Sequence, residues 1–303
     1  MSIVNLMQIK TAFFITVCSL GISIKSYADT DIWLLKFNAD KSLDLSSAKN
    51  ITQRIGYDNQ PSFSRNGQGL YYTKMLQTEN GQQADLFYFD FAAQQHRNLT
   101  RTVQSSEYSP TESPIAQNQL VTVKVEPDGT QRLWTVNTLT GQQQMLQRTL
   151  KPVGYFAWGK QEDLLLFILD EPMKLKYAAH YKDKDALTID TNIGRSIRYN
   201  ANNDWYTYSK GNNSQQTLWK YDHNINQKTE LVKLPERSQY YTWLNDQQVL
   251  SAQGSKLMKW TLGSQNQWQL LGDLTSVCPK GISRVAVNGN QTRIALVCNE
   301  ETP

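Results

Sequence analysis

A short apolar and aromatic strand recurs six times along this chain, and that repetition limits the fold more than any other feature. The copies are 32–37 (IWLLKF), 86–90 (LFYFD), 133–137 (LWTVN), a weaker 175–177 (LKY), 218–222 (LWKYD) and 257–260 (LMKW), at spacings of 39 to 54 residues. Each precedes a polar turn, such as Thr140-Gly141 or Asn224-Ile225-Asn226, and then a second short strand. A period of this size marks the blades of a ring or the repeats of a solenoid.

A second element repeats independently. Its clearest copy runs from Gly56 through Asn66-Gly67 to the strand at 70–73, and Asn-Gly between two β-rich runs is a strong hairpin signal. Later copies precede strands at 120–125, 164–169, 205–208, 249–251 and 294–298. Aligned on Phe63, they place Glu112, Trp158, Arg198, Trp243 and Val285 at equivalent positions. Two inner and two outer strands make one blade. The chain opens on an outer pair (32–37, 43–52) and closes on an inner pair (282–287, 294–298), so neither end is a complete blade. The expected fold is therefore all-β: a six-bladed β-propeller of four-stranded antiparallel blades, closed by N-terminal strands that complete the last blade. A linear β-solenoid would need capping repeats, and none is visible.

The first 28 residues read as a secretory signal. Lys10 ends a short n-region, 11–24 forms an apolar h-region, and Ser26 and Ala28 give the small-x-small cleavage pattern. The apolar run is shorter than the roughly 20 residues that span a bilayer. Lipoprotein processing at Cys18 would follow Val17, which is larger than that site prefers. The expected mature chain, 29–303, is an exported, periplasmic, monomeric propeller without a membrane span. Removing Lys10 and Lys25 from 31 basic residues leaves 29 against 27 acidic ones. That balance gives no field for nucleic acid or anionic lipid. With 39% hydrophobic residues the chain has enough apolar content to fold.

The run Gly56-Tyr57-Asp58-Asn59-Gln60-Pro61-Ser62-Phe63-Ser64-Arg65-Asn66-Gly67 resembles the repeat of TolB-type, WD-like propellers, roughly G-x-D-x-x-P-x-W-S-P-D-G. Asn50-Ile51-Thr52 and Asn98-Leu99-Thr100 are similar to the Leu-Thr that opens the next repeat in that family. Phe63 stands where the family has Trp, Arg65 where it has Pro and Asn66 where it has Asp. The resemblance covers nearly all of the expected mature chain and is strongest in the first blade. It implies a periplasmic propeller that engages other proteins, here without the α/β domain that precedes the propeller in TolB. In that repeat the position of Asp58 is a structural one, tying its loop to backbone amides.

Local catalytic signatures are missing: the sequence holds no G-x-S-x-G elbow, H-E-x-x-H, C-x-x-C or P-loop. His96, His180 and His223 fall in outer-strand turns of different blades and are expected to be solvated or locally hydrogen-bonded. Lys182-Asp183-Lys184-Asp185 alternates in sign, as an exposed turn does, rather than offering a metal site. No cofactor or metal is expected. Cys278 and Cys298 are the two cysteines left after signal removal. A register counted from Asn288-Gly289 sets Cys298 opposite about Ile282, so Pro279 and Gly281 must bend the chain back for a disulfide to form in an oxidising compartment. Two buried thiols are the alternative. A bridge here would lie in the composite blade and lock the seam of the ring.

Tyr57, Asp58, Tyr108, Tyr155, Phe156, Tyr240 and Tyr241 all precede or enter inner strands, which the architecture gathers at one mouth of the channel. Tyrosine suits an interface, because it offers a rigid area and a hydroxyl at low entropy cost; packing between blades is the competing role. The function expected from these features is non-catalytic binding of an envelope protein or peptide over one face of the ring. A propeller enzyme with residues gathered from several blades, for instance a polysaccharide lyase or hydrolase, and a sensor domain serving a membrane protein are the alternatives.

Overall fold

A computed structural model describes residues 29–79, 81–264 and 267–300; the expected signal segment, 1–28, lies outside the described residues. The described chain forms six four-stranded sheets, antiparallel at each pairing. The first blade holds β3 (Asp58–Phe63), β4 (Gly69–Thr78), β5 (Gly81–Asp90) and β6 (Gln95–Asn98). The second holds β7 (Ser106–Glu112) to β10 (Gln143–Met145), and the third β11 (Val153–Trp158) to β14 (Leu187–Thr191). The fourth runs from β15 (Ile193–Asn200) to β18 (Gln227–Lys233), and the fifth from β19 (Tyr241–Trp243) to β22 (Gln269–Asp273). The sixth is composite, in the order β2 (Leu43–Asn50), β1 (Thr30–Phe37), β24 (Arg293–Asn299), β23 (Ile282–Val287). This is the six-bladed propeller that the repeats predict, closed where β1 pairs with β24 from Thr30↔Asn299 to Lys36↔Arg293.

Each blade is apolar on both faces because each face meets a neighbouring blade. Six inter-blade cores result, and the cluster of Leu35, Leu250, Leu257, Leu296 and Cys298 joins the fifth blade to the sixth. Ile32, Leu70, Phe89 and Val297 join the sixth to the first. Tyrosines do much of the filling, and buried hydroxyls need partners. Tyr206 donates to Asp163 at 2.7 Å and Tyr208 to Asp190 at 2.7 Å. The Tyr241 hydroxyl has no partner among the described residues.

The Asn-x-Thr tripeptides anchor two of the blade-to-blade crossings. Asn50 and Thr52 donate to the Asp31 carboxylate at 2.7 and 2.8 Å, while the Thr52 hydroxyl accepts from the Ile32 amide at 2.9 Å. In the first blade Asn98 donates to Asp85 at 2.6 Å and Thr100 accepts from the Leu86 amide at 3.0 Å. Ile51 and Leu99, between those polar residues, are buried. One local sequence thus satisfies a strand end and supplies a core residue.

Three sequence expectations change. In the first hairpin Gly67 is left-handed at φ 71°, but Asn66 is not; its side chain accepts from Ser64 Oγ at 2.7 Å and from the Gln68 amide at 3.0 Å, closing a longer turn. Phe63, Glu112, Trp158 and Trp243 do close equivalent hairpins, yet in the fourth and sixth blades the last paired residues are Asn200 and Val287. The alignment on Arg198 and Val285 is therefore two residues early, a slip that keeps the face and so leaves the hydrophobic pattern unchanged. Finally, the expected Cys278–Cys298 disulfide is present, with Cα atoms 5.1 Å apart and Ile282 paired with Cys298, but it does not lock the seam. Both cysteines lie on the C-terminal side of the closure, so β1 and β2 are held by hydrogen bonds and packing rather than covalently.

Candidate functional site

All six inner strands begin at the same end of the channel. Their first residues line an open cavity of about 730 Å³, including Tyr57, Tyr108, Tyr155, Arg195, Tyr240 and Arg284, one from each blade. A second cavity of about 540 Å³ opens at the other end and is lined by Phe63, Glu112, Phe156, Trp158 and Arg198 among others. Gln60, Tyr155 and Arg284 line both cavities and so form the waist between them.

Four of the predicted residues, Tyr57, Tyr108, Tyr155 and Tyr240, come together at the first mouth. Phe156 packs in the core between the second and third blades and reaches the opposite cavity. Tyr241 is fully buried between the fourth and fifth blades, and Asp58 is fully buried at the start of β3. Adjacent residues on a strand take opposite faces, which separates Tyr240 from Tyr241 and Tyr57 from Asp58. Asp58 pairs with Arg54 at 2.8 Å rather than with backbone amides. Arg54 in turn donates to the carbonyls of Ile55 and Met75, each at 2.7 Å, and so ties the loop. Burial pushes the Asp58 carboxyl up to about 6, against the opposing pull of Arg54 and Lys74.

Arg284 organises the waist. Its Nη2 donates to the Tyr240 hydroxyl at 2.8 Å and to the Tyr155 hydroxyl at 3.0 Å, and the guanidinium sits 3.7 Å from the centre of the Tyr240 ring. Burial alone would lower its pKa, but Tyr155, Tyr240 and Tyr57 outweigh that and hold it above the ordinary value. Tyr155 is shifted the other way: despite burial, Arg284, Tyr240 and Arg195 bring its phenol below the ordinary range. Tyr240 is raised, chiefly by burial. One phenol of the pair is thus made the readier to give up its proton. Burial also lowers Arg198, whose Nη1 donates to the Ile197 carbonyl at 2.8 Å.

Sequence reasoning missed all three arginines. Tyr155, Tyr240 and Arg284 each stand three residues before the last pair of their hairpins, at Trp158, Trp243 and Val287. For Arg284 the signal was a cation at the position where the third and fifth blades carry Tyr. The two-residue slip in the sixth blade hid it. The histidines stand apart from this site. His96 is exposed and bonds Tyr72 at 2.9 Å, and His180 lies 3.2 Å from Glu162. His223 departs from the solvated rim position expected of it: its side chain is 8% exposed, packed against Tyr177 and Tyr206 and 3.9 Å from Asp204. Among the described residues no group of three or more His, Cys, Asp or Glu side chains is arranged to hold a metal ion.

No protein-family model matches the sequence, and no curated protein matches it. Solved structures do match the fold. A candidate TolB from Agrobacterium tumefaciens superposes with a TM-score of 0.68 at 9% identity, over 91% of this chain and 100% of that one. The chain has the fold of that propeller. An oligogalacturonate lyase from Vibrio parahaemolyticus matches at a TM-score of 0.55 and 12% identity, over 89% and 87% of the two chains. A chain of the nidogen/laminin complex matches at 0.61 and 8%, over 90% and 100%.

The lyase corrects one expectation. A non-enzymatic chain was expected from the missing local motifs, the aromatic mouth and the resemblance, but structures that share this fold include an enzyme, so the fold does not argue against catalysis. Propeller sites draw residues from separate blades, so no short motif need mark them. The waist of this channel draws its three residues from three blades.

Proposed function

We propose that this chain is an exported propeller that binds a protein or peptide partner over the mouth formed by the starts of its inner strands. One observation carries the reading: four tyrosines and two arginines, one from each of six blades, converge on a single open cavity. Interface hot spots are enriched in these two residue types. The exposed apolar side chains of Ile55, Val103 and Leu169 lie in loops at the same end of the ring and extend the surface. A propeller of this fold in the nidogen/laminin complex supports partner binding as a use of the architecture. The leader-like segment 1–28 supports export.

The test is capture from a periplasmic and envelope extract by the mature protein, against a Tyr57→Ala/Tyr240→Ala variant. A partner retained by the wild type and lost by the variant is expected. Recovery of the same proteins by both forms, or of none by either, would refute the reading.

A second reading, an enzyme acting on an acidic oligosaccharide, is favoured by the contact of Tyr155 with Arg284: a cation to meet a carboxylate beside a phenol able to move a proton. Incubation with oligogalacturonate, followed by ultraviolet absorbance and reducing-end assays, checks it. Unchanged substrate in both assays would rule out that substrate class.

A further inference from the structure

We propose that the channel waist is a binding site for a carboxylate, held by Arg284 with Arg195 above it and Arg198 below. The inference rests on the channel mouth being the binding surface and names the chemistry received there. Arg195 lines only the first cavity, Arg198 only the second, and Arg284 both, so three cations mark the path through the ring. Among the described residues none of them lies within 4.0 Å of a carboxylate oxygen, although other basic residues of the chain do find acidic partners.

Cations that face an open channel without a carboxylate partner are placed to receive an arriving anion. Arg284 is prepared for one. Both of its hydrogen bonds to the tyrosines leave from Nη2, while Nε and Nη1 make none among the described residues. The Tyr240 ring, centred 3.7 Å from the guanidinium carbon, and the two hydrogen bonds hold the group in place. Nε and Nη1 face different sides of the group, and each offers a carboxylate oxygen one charged donor.

The surroundings favour a carboxylate over a phosphate. Arginine also pairs with phosphate, but phosphate sites commonly add a helix N-terminus, and the described chain has no helix. The size of the cavity sets the scale of the ligand. At about 730 Å³ it falls within the range of sites for small molecules, so the occupant is a small organic acid or the carboxylate end of a peptide.

Isothermal titration separates these sources. The mature protein is titrated with acetate, succinate, inorganic phosphate, and a tripeptide prepared as free acid and as C-terminal amide. The same series is run on Arg195→Gln, Arg284→Gln and Arg284→Lys. Saturable binding of at least one carboxylate is expected, about tenfold or more weaker in Arg284→Gln. Arg284→Lys keeps the charge but loses the donors that the guanidinium fixes in place, so its affinity falls between the two. Arg195 is exposed, so Arg195→Gln leaves the fold intact and gives a smaller loss. Binding of the free-acid peptide that disappears on amidation identifies a chain end; equal binding of succinate identifies a small acid.

No carboxylate binding by the wild type at millimolar ligand, phosphate binding as tight as carboxylate, or unchanged affinity in Arg284→Gln would overturn the inference. The two readings can fail separately. A partner captured equally by Arg284→Gln and wild type, but not by Tyr57→Ala/Tyr240→Ala, keeps the partner reading and removes the carboxylate.

Discussion

Removing the Cys278–Cys298 bridge perturbs the ring at a defined place. The bond closes a loop with a sequence separation of 20 residues, from the turn before β23 to the end of β24. In the chain-entropy treatment a loop of that length restricts the unfolded chain by about 3 kcal/mol. Unfolding entropy scales with chain length, so for an expected mature chain of this size the same free energy corresponds to a fall in melting temperature of about 6 °C. The consequence is local as well as global, because β24 pairs with both β23 and β1 and so forms the centre of the closing blade. The assay is urea unfolding followed by tryptophan fluorescence, with thermal unfolding in parallel, on oxidised wild type and Cys278→Ala/Cys298→Ala. The denaturant slope should rise in the variant, since an unfolded chain freed of its cross-link exposes more surface. Wild type unfolded in reductant should match the variant. A variant within about 1 kcal/mol of the oxidised wild type would refute the loop-entropy reasoning.

Two further predictions concern single residues. Asp58, raised from 3.8 to about 6, keeps its proton in the folded chain between those pH values while the unfolded chain releases it. Its contribution is therefore lost as pH rises from about 4 to about 6, by about 3 kcal/mol at most; Asp58→Asn should flatten that part of the stability–pH curve, and an unchanged curve would show that Asp58 is not its source. Gly211 has φ 138°, and a Cβ there would lie 2.4 Å from the Gln215 carbonyl oxygen. Gly211→Ala should cost about 2 kcal/mol or more in urea unfolding, and a loss below about 0.5 kcal/mol would show that the turn between the middle strands of the fourth blade can relax.

Much of the fold was legible because a blade writes itself locally. The strands beginning near Ile32, Leu86, Leu133, Leu175, Leu218 and Leu257 are all present as third strands of their blades. Less of the site was legible. Tyr57, Tyr108, Tyr155 and Tyr240 meet at one mouth, but Asp58 and Tyr241 turn into buried positions. Strand alternation separates them from Tyr57 and Tyr240, their chain neighbours, and which face each takes is set by pairing across the sheet rather than by the local sequence.

Sequence alone determined the repeat, the number of blades and the ring closure, since each follows from short-range patterns of apolar strands and polar turns. It also set the counted pairing of Ile282 with Cys298. Only the tertiary structure decided that Arg284, Tyr155 and Tyr240 form one cluster, because those residues come from three blades and up to 129 positions apart. Their meeting depends on how each inner strand is phased against its neighbour. A shift of two residues keeps every hydrophobic side chain on its face, so the core records the fold while leaving the waist of the channel unspecified.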